Sequence, residues 1–282
     1  QAGGGEKEDR GHEGRTVKIL VACEFSGTVR DAWIAHGHDA MSCDLLPTEA
    51  PGPHYQGNVR DVLHQGWDMM IAHPPCTYLS VSGMHWTTRG LRDPQLTEDA
   101  LAFVKLLMDA PIPRIAVENP VSVISSRIRK PDQVIQPWWF GDDASKKTCL
   151  WLKGLPLLAP DYAKVVPPKG WQLVRMAADM LECEECGEAF CPEHNMHYDE
   201  CPCLGPTVDE ATYRTIDGVL FGTLQDPAPK PLWANQTPSG QNKLGPSPDR
   251  WKERSKTFAG VAAAMAEQWG SANPNLFSKG AA

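Results

Sequence analysis

Two short segments of this sequence set a reactive side chain at the end of an apolar run. His73-Pro74-Pro75-Cys76 follows the run Asp68 to Ala72, and Glu118-Asn119-Pro120 follows Arg114 to Val117. A thiolate is a strong nucleophile, but a thiol with a pKa of about 8.5 is ionised to roughly a few per cent at neutral pH, so Cys76 needs electropositive surroundings. A carboxyl such as Glu118 can hand a proton to a reacting group, and burial that raises its pKa would suit it to that task.

A third segment is built for metal. Five of the nine cysteines fall between Cys183 and Cys203, in the pattern Cys183-x2-Cys186-x4-Cys191-x2-His194-x2-His197-x3-Cys201-x-Cys203. Thiolates and imidazoles at this density are ligands for tetrahedral zinc. The preferred set is Cys183, Cys186, Cys201 and Cys203, because the stretch between Cys186 and Cys201 permits a loop that returns to the first pair. Cys191 with His194 or His197 is a rival half-site, and a second ion stays open. So does a disulfide cluster, which an intracellular setting disfavours. Zinc here would be structural, standing in for a core that so short a segment cannot build.

The elements that must position these groups follow one order. Val17 to Cys23 reads as a buried parallel strand that ends in Glu24-Phe25-Ser26-Gly27; a helix is predicted over 29–36, and a second strand over 38–43 ends at Asp44. Strand, glycine turn, helix, strand, acid is the opening of a nucleotide-binding doubly wound sheet. Further strands are predicted over 68–72, 114–117 and 148–152, with an amphipathic helix over 98–109 and a final helix over 251–269. The candidate groups therefore recur at carboxyl ends of strands, where an open parallel sheet places its ligands. The proline-rich stretch 156–168 reads as a linker, 216–224 as an apolar stretch, and 226–250 as a long irregular loop.

Composition sets limits on partners. The 282 residues suit one catalytic domain with a small insert, and 41% hydrophobic with 22% charged residues is ordinary for a globular chain. No apolar run is long enough for a membrane span, and the opening residues lack a signal-peptide pattern, so an intracellular protein is expected, with no membrane partner. A net charge of −8 argues against a phosphate-binding surface, yet Arg127, Arg129 and Lys130, then Lys146 and Lys147, then Lys243 to Lys256 form local basic clusters. Each cluster taken alone reads equally well as solvated surface. The expected division is a disordered tail (1–15), a catalytic core (16–168), a Cys/His-rich module (169–215), and a remaining recognition loop with a C-terminal helix (216–282).

Taken in order, these motifs resemble the DNA cytosine-5 methyltransferase family, in particular a compact, phage-like branch. The resemblance covers most of residues 17–156 and resumes in the last helix. Phe25-Ser26-Gly27 resembles the family's Phe-x-Gly cofactor loop, Asp44 its ribose-binding acid, and Gly57-Asn58-Val59 a Gly-Asp-Ile segment whose acid accepts from the adenine amino group. Here Asn58 keeps one carbonyl acceptor, with Asp61 in reserve. Pro74-Pro75-Cys76-Thr77 resembles the Pro-Cys-Gln loop with Thr77 in place of glutamine, and Glu118-Asn119-Pro120 resembles Glu-Asn-Val. Lys146-Lys147-Thr148 occupies the place of a Gln-x-Arg-x-Arg strand, with Lys146 and Thr148 at the two arginine positions. A solvated basic pair is the competing reading there.

The resemblance implies a Rossmann-like α/β fold with a small zinc-binding insert, and S-adenosyl-L-methionine (AdoMet) held by Phe25, Ser26, Gly27, Asp44, Asn58 and Pro74. It implies methyl transfer to carbon 5 of a flipped-out cytosine through a covalent Cys76 adduct at carbon 6, with Glu118 at ring nitrogen 3 and Lys146 near the carbonyl oxygen. The partner is then DNA, double-stranded, met by a monomer in the cytoplasm of a bacterial host if the chain is phage-encoded. Ser80, Ser82, Arg89 and Arg92 are candidates to fill the space that the flipped base vacates. The insert and the loop Asn235 to Arg250 are candidates for reading base edges. Two alternatives remain: a zinc-containing DNA-binding protein on a degenerate methyltransferase fold, and the same covalent chemistry on another nucleic-acid substrate.

Overall fold

The computed structural model describes residues 16–174, 181–182, 189–191, 196–197, 212–225 and 227–270. Its centre is a seven-stranded sheet of β1 (Lys18–Ala22), β2 (Asp39–Asp44), β3 (His54–Gln56), β4 (Met69–Ala72), β5 (Arg114–Pro120), β6 (Gln133–Ile135) and β7 (Thr148–Lys153). The spatial order is β3-β2-β1-β4-β5-β7-β6. All neighbours are parallel except β7, which runs antiparallel to both β5 and β6. This is an α/β architecture compatible with a Rossmann-like fold.

Central strands are buried on both faces, which explains why Ile19 to Ala22 of β1 and all of β4 are apolar runs rather than alternating ones. Alternate residues divide between two cores. Ile19, Val21, Met69, Ile71, Ala116 and Leu150 face one of them, and Leu20, Met70, Ile115, Val117 and Trp151 face the other. α1 (Thr28–Ala35) packs against the C-terminal helix on the first face. The second face is closed by α3 (Gln95–Met108), which buries Leu101, Val104 and Leu107, and by Ile124 of the short α4 (Ile124–Arg127).

Several elements depart from what the sequence predicts. β3 and β6 have three residues each and are too short to carry a periodic signal. α2 (Val81–Thr88) lies directly after the Cys76 loop, started by Ser80, whose Oγ accepts from the Gly83 N–H at 3.2 Å. The final helix is broken into two, α5 (Arg250–Ser255) and α6 (Ala259–Gly270), because Lys256 is extended (φ −62°, ψ 138°). The stretch 156–168 is not a free linker. Leu158 and Val165 are buried, the Gln133 amide exchanges two hydrogen bonds with the Leu158 backbone, and Trp269 Nε1 donates to the Pro156 carbonyl.

Two smaller antiparallel sheets follow. β8 (Gln172–Leu173) pairs with β13 (Val219–Thr223), which pairs with β12 (Thr212–Ile216). β9 (Leu181–Glu182), β10 (Ala189–Cys191) and β11 (Met196–His197) form the other sheet; β9 ends at Glu182 and β11 ends at His197 on the same side of it. No helix among the described residues is long and apolar enough to cross a membrane.

Trp138 joins the β8-β13-β12 sheet to the main core. It stacks on Trp233 (centroids 5.2 Å, 14° between planes) and meets the Phe221 ring at 5.5 Å, while Trp233 Nε1 donates to the Val166 carbonyl. Trp233→Ala should cost about 3–5 kcal/mol, read as a lower denaturant midpoint at an unchanged slope. A loss below about 1 kcal/mol would show that the irregular segment carrying Trp233 does not contribute to the fold as described.

Candidate active site at the carboxyl edge of the sheet

Ala72 of β4 lies beside Val117 of β5 in a parallel register, so the residues that follow them, His73 and Glu118, emerge side by side. His73 Nδ1 stands 2.9 Å from Glu118 Oε2, with side-chain exposures of 7% and 8%. β7 returns antiparallel along β5, setting Leu150 opposite Glu118 and Cys149 opposite Asn119. Thr148, at its start, brings a hydroxyl to Glu118. Asn119 is buried, and its Nδ2 donates to the Pro74 carbonyl at 2.8 Å. The loop that carries Cys76 is thus tied to the strand that carries Glu118, and Pro74 serves as the acceptor of that tie.

Cys76 feels the charge of Glu118, and both feel Lys146. For Glu118, burial alone would push the carboxyl up. The Lys146 ammonium, the His73 contact and the Thr148 hydroxyl together outweigh it and hold Glu118 below the ordinary carboxylate range. This corrects the expectation that burial would raise it. Cys76 is displaced the other way. Burial and the Glu118 charge raise its thiol, against the opposing charges of Lys146 and Arg254. The electropositive surroundings expected for Cys76 are present but do not prevail, so at rest the site pairs a thiol with a carboxylate.

Lys146 is placed by long-range contacts. Its backbone N–H donates to Gln136 Oε1, and Gln136 in turn donates to Asp217 in the turn between β12 and β13. One residue earlier, the Ser145 backbone and the Asn235 amide exchange two hydrogen bonds. The Lys146 ammonium donates to the Arg254 carbonyl at 3.2 Å and lies 5.9 Å from the Phe258 ring centroid. Thr257 Oγ1, in the break between α5 and α6, is 3.4 Å from His73 Nδ1. The second sheet and the broken helix therefore both reach this edge.

At the end of β1, Glu24 is buried and caps α1: its carboxylate accepts from the backbone N–H of Val29 (2.7 Å) and Arg30 (3.3 Å), and from Ser26 Oγ (3.1 Å). Ser26 Oγ takes the Thr28 N–H. Gly27 has φ 81°, and a Cβ there would stand 2.5 Å from Arg30 Nη2, so both conformation and space require glycine. Phe25 is buried 6.2 Å from the Trp251 ring, and its carbonyl accepts from Glu49 N–H. The half-buried Asp44 carboxyl is pushed up by burial, against hydrogen bonds from the Leu45 and Leu46 backbone. Leu45 beside it is 73% exposed. Asn58 is exposed, and its side-chain oxygen accepts from Arg60 N–H, so it already serves as a turn cap.

After Cys76, Ser80 is spent on starting α2. Arg92 Nη1 donates to the Thr77 and Gly83 carbonyls, and the guanidinium stacks on Tyr78, which holds it against the loop after Cys76. Arg89 remains exposed, and Trp86, 50% exposed on α2, is a bare aromatic that sequence reasoning missed. Ser82's side chain and the ligand candidates Cys183, Cys186, Cys201 and Cys203 lie outside the described residues. Among the described residues, no group of three or more His, Cys, Asp or Glu side chains is arranged for a metal. Glu24, His73, Asn119 and Thr257 carry no site signal in the sequence beyond adjacency to the glycine turn, Cys76, Glu118 or the final helix, whereas Thr148 stands at the second arginine position of the resemblance.

Alkylation of Cys76 by iodoacetamide, read by peptide mass spectrometry across pH, checks these charge relations. Glu118→Gln should lower the midpoint of reactivity, raising the neutral-pH rate about two- to tenfold, while Lys146→Met should slow it. A Glu118→Gln protein alkylated no faster than wild type would contradict the coupling.

No family model matches this chain, and no curated protein matches it.

Proposed function

We propose that this protein is an AdoMet-dependent DNA cytosine-5 methyltransferase. What carries the reading is the pairing of a nucleophile and a proton-transferring carboxyl, Cys76 and Glu118, from the carboxyl ends of two adjacent parallel strands, with Lys146 acting on both.

The cofactor end supports a nucleoside ligand without a diphosphate. A dinucleotide would need the first N–H groups of α1 for its phosphates, but Glu24 and Ser26 already occupy them. Asp44 keeps acceptor capacity for ribose hydroxyls, and Leu45 offers a bare apolar side chain beside it. Phe25, Ser26, Gly27, Asp44, Asn58 and Pro74 would hold AdoMet between them, and when bound it supplies an electrophilic methyl group to carbon 5 of the pyrimidine. Asn58 would do so with one hydrogen-bonding position already used, and Ser26 with both its donor and one acceptor position used.

The resting charges give the chain's own groups a sequence of acts. Glu118 takes the proton of the Cys76 thiol and passes it to ring nitrogen 3 as the sulfur's electron pair forms the bond to carbon 6. Lys146 steadies the negative charge that moves between these groups and would turn from the Arg254 carbonyl to the ring's carbonyl oxygen, as a point donor rather than a fork. Cys76 later leaves with the electrons of its bond to carbon 6 as solvent water takes the carbon 5 proton, the net proton released by the reaction, and Glu118 returns the nitrogen 3 proton to the sulfur. A duplex substrate must present its base flipped out, at a cost of a few kcal/mol.

Zinc remains part of the proposal. Cys183 and Cys186 follow Glu182 in sequence, and Cys201 and Cys203 follow His197; these two strand ends share one side of the β9-β10-β11 sheet. That favours the preferred ligand set over Cys191 with His194. Purified protein should carry stoichiometric zinc by elemental analysis and lose it when Cys183 and Cys186 are both changed to Ser. Retention of the metal in that double variant would rule the set out.

Transfer of tritium from labelled AdoMet to duplex DNA tests the function. Label should enter carbon 5 of cytosine with wild type and fall below detection with Cys76→Ala. Retention of DNA without any transfer would favour a DNA-binding protein on a degenerate methyltransferase fold, and label on RNA alone would move the same chemistry to another substrate.

A further inference from the structure

Glu118 can take a proton from Cys76 only if it is an ionised, correctly aimed carboxylate at the moment the substrate arrives, and His73, beside the Thr148 hydroxyl, is in contact with it. Backbone geometry fixes that residue. Its N–H donates to the Ala22 carbonyl at 2.9 Å, and the proline that follows confines it to extended conformations. The ring then lies with Nδ1 2.9 Å from Glu118 Oε2 and 3.4 Å from Thr257 Oγ1. Its other nitrogen, Nε2, is sealed from solvent and has no partner among the described residues.

That asymmetry selects a tautomer. A proton on Nε2 would be a buried donor with nothing to bond, and it would leave Nδ1 as a bare lone pair facing a carboxylate oxygen. A doubly protonated ring would carry the same orphan donor plus a buried charge. The arrangement that avoids both penalties is a neutral ring with its single proton on Nδ1, donated to Glu118.

We propose that His73 is a positioning residue for the reaction: a neutral imidazole that donates Nδ1–H to Glu118 and thereby keeps this carboxylate aimed and ready to accept the Cys76 proton. The proposal rests on the methyltransferase reading and deepens it by adding a group that touches neither base nor cofactor. His73 exchanges no proton in the cycle. It stabilises the charged form of Glu118 through one hydrogen bond and gives way when the carboxyl is transiently protonated. The other groups facing the pair are Lys146 and Thr148 from the start of β7, Cys149 within it, Cys76 from the loop after β4, and Thr257 with Arg254 from the broken final helix. Of these, Lys146 and Thr148 also favour the carboxylate, so loss of His73 weakens Glu118 without neutralising it outright.

The sign of the pH effect follows. Activity that needs ionised Glu118 is present above its folded pKa and is lost as pH falls through it. Removing a donor raises that pKa, so the loss begins at higher pH. Single-turnover methyl transfer to duplex DNA, measured from pH 5 to 8, should therefore show the acidic limb of His73→Ala displaced upward by about one unit or more, which is about tenfold at a fixed pH on that limb. His73→Asn, whose amide N–H can still donate but cannot titrate, should stay near the wild-type limb. An unmoved limb in His73→Ala, or an equal displacement in His73→Asn, overturns the proposal.

A second measurement does not depend on turnover. The infrared carboxylic acid band of Glu118, assigned by its absence from acidified Glu118→Gln, should be missing from wild type at neutral pH, should grow in as wild type is acidified, and should grow in at higher pH in His73→Ala. Should His73→Ala melt well below wild type, His73→Leu replaces it. If neither folds, a protonated Glu118 band in wild type itself at neutral pH is still sufficient to overturn the proposal. A wild-type protein that transfers no methyl group defeats the functional reading and the catalytic role of His73 together. Active wild type with indifferent His73 variants defeats this inference alone.

Discussion

The parallel register between β4 and β5 is the constraint on which the site depends. With Ala72 set beside Val117, the next residue on each strand projects at the same level, and the chain leaving β4 has only Pro74 and Pro75 before it reaches Cys76. A slip of one residue would send Glu118 to the opposite face of the sheet, because side chains alternate with a period of two. Apolar residues on both faces of β4 and β5 resist such a slip, since Met69, Ile71 and Ala116 fill one core and Met70, Ile115 and Val117 the other. Packing thus fixes where the chemistry can occur.

Around that fixed pair, distant parts of the chain set the charge. Lys146 draws Glu118 down and opposes the rise of Cys76, and it owes its place to Gln136, to Asp217 in the β12–β13 turn, and to Asn235 beside Ser145. The Trp138, Phe221 and Trp233 cluster holds that second sheet against the core. The outcome is a thiol beside a carboxylate, a pair in which the nucleophile is uncovered only when its proton has somewhere to go. A standing thiolate would be open to oxidation and stray alkylation, whereas in this arrangement the thiol keeps its proton until an acceptor takes it.

Much of the architecture was legible in the sequence. Within Val17 to Cys23 and Asp68 to Ala72, the residues Ile19 to Ala22 and Met69 to Ala72 are apolar on every position, as buried parallel strands must be, and the glycine turn before α1 marks itself through Gly27. Strands of three residues such as β3 leave no periodic trace, and the final helix read as continuous because its break at Lys256 contains neither proline nor glycine. The positions of Cys76 and Glu118 were legible from their place after two strands. Their charge states were not, because the groups that decide them are far away in sequence: His73 is 45 residues from Glu118, and Gln136 is 81 from Asp217. Glu24 was overlooked for a different reason. A carboxylate that caps the following helix looks, in sequence, like any acid beside a glycine turn.

A covalent bond between Cys76 and a pyrimidine ring is the claim on which the functional account depends, and it can be trapped. Duplex DNA containing 5-fluorocytosine blocks the last step, because fluorine cannot leave carbon 5 as a cation in the way a proton does. Incubated with AdoMet and this protein, such DNA should yield a denaturation-resistant complex whose mass spectrum assigns a methylated fluorocytosine adduct to the Cys76 peptide. Methylation of ordinary DNA without any such complex, or a complex mapped to another residue, would contradict the account.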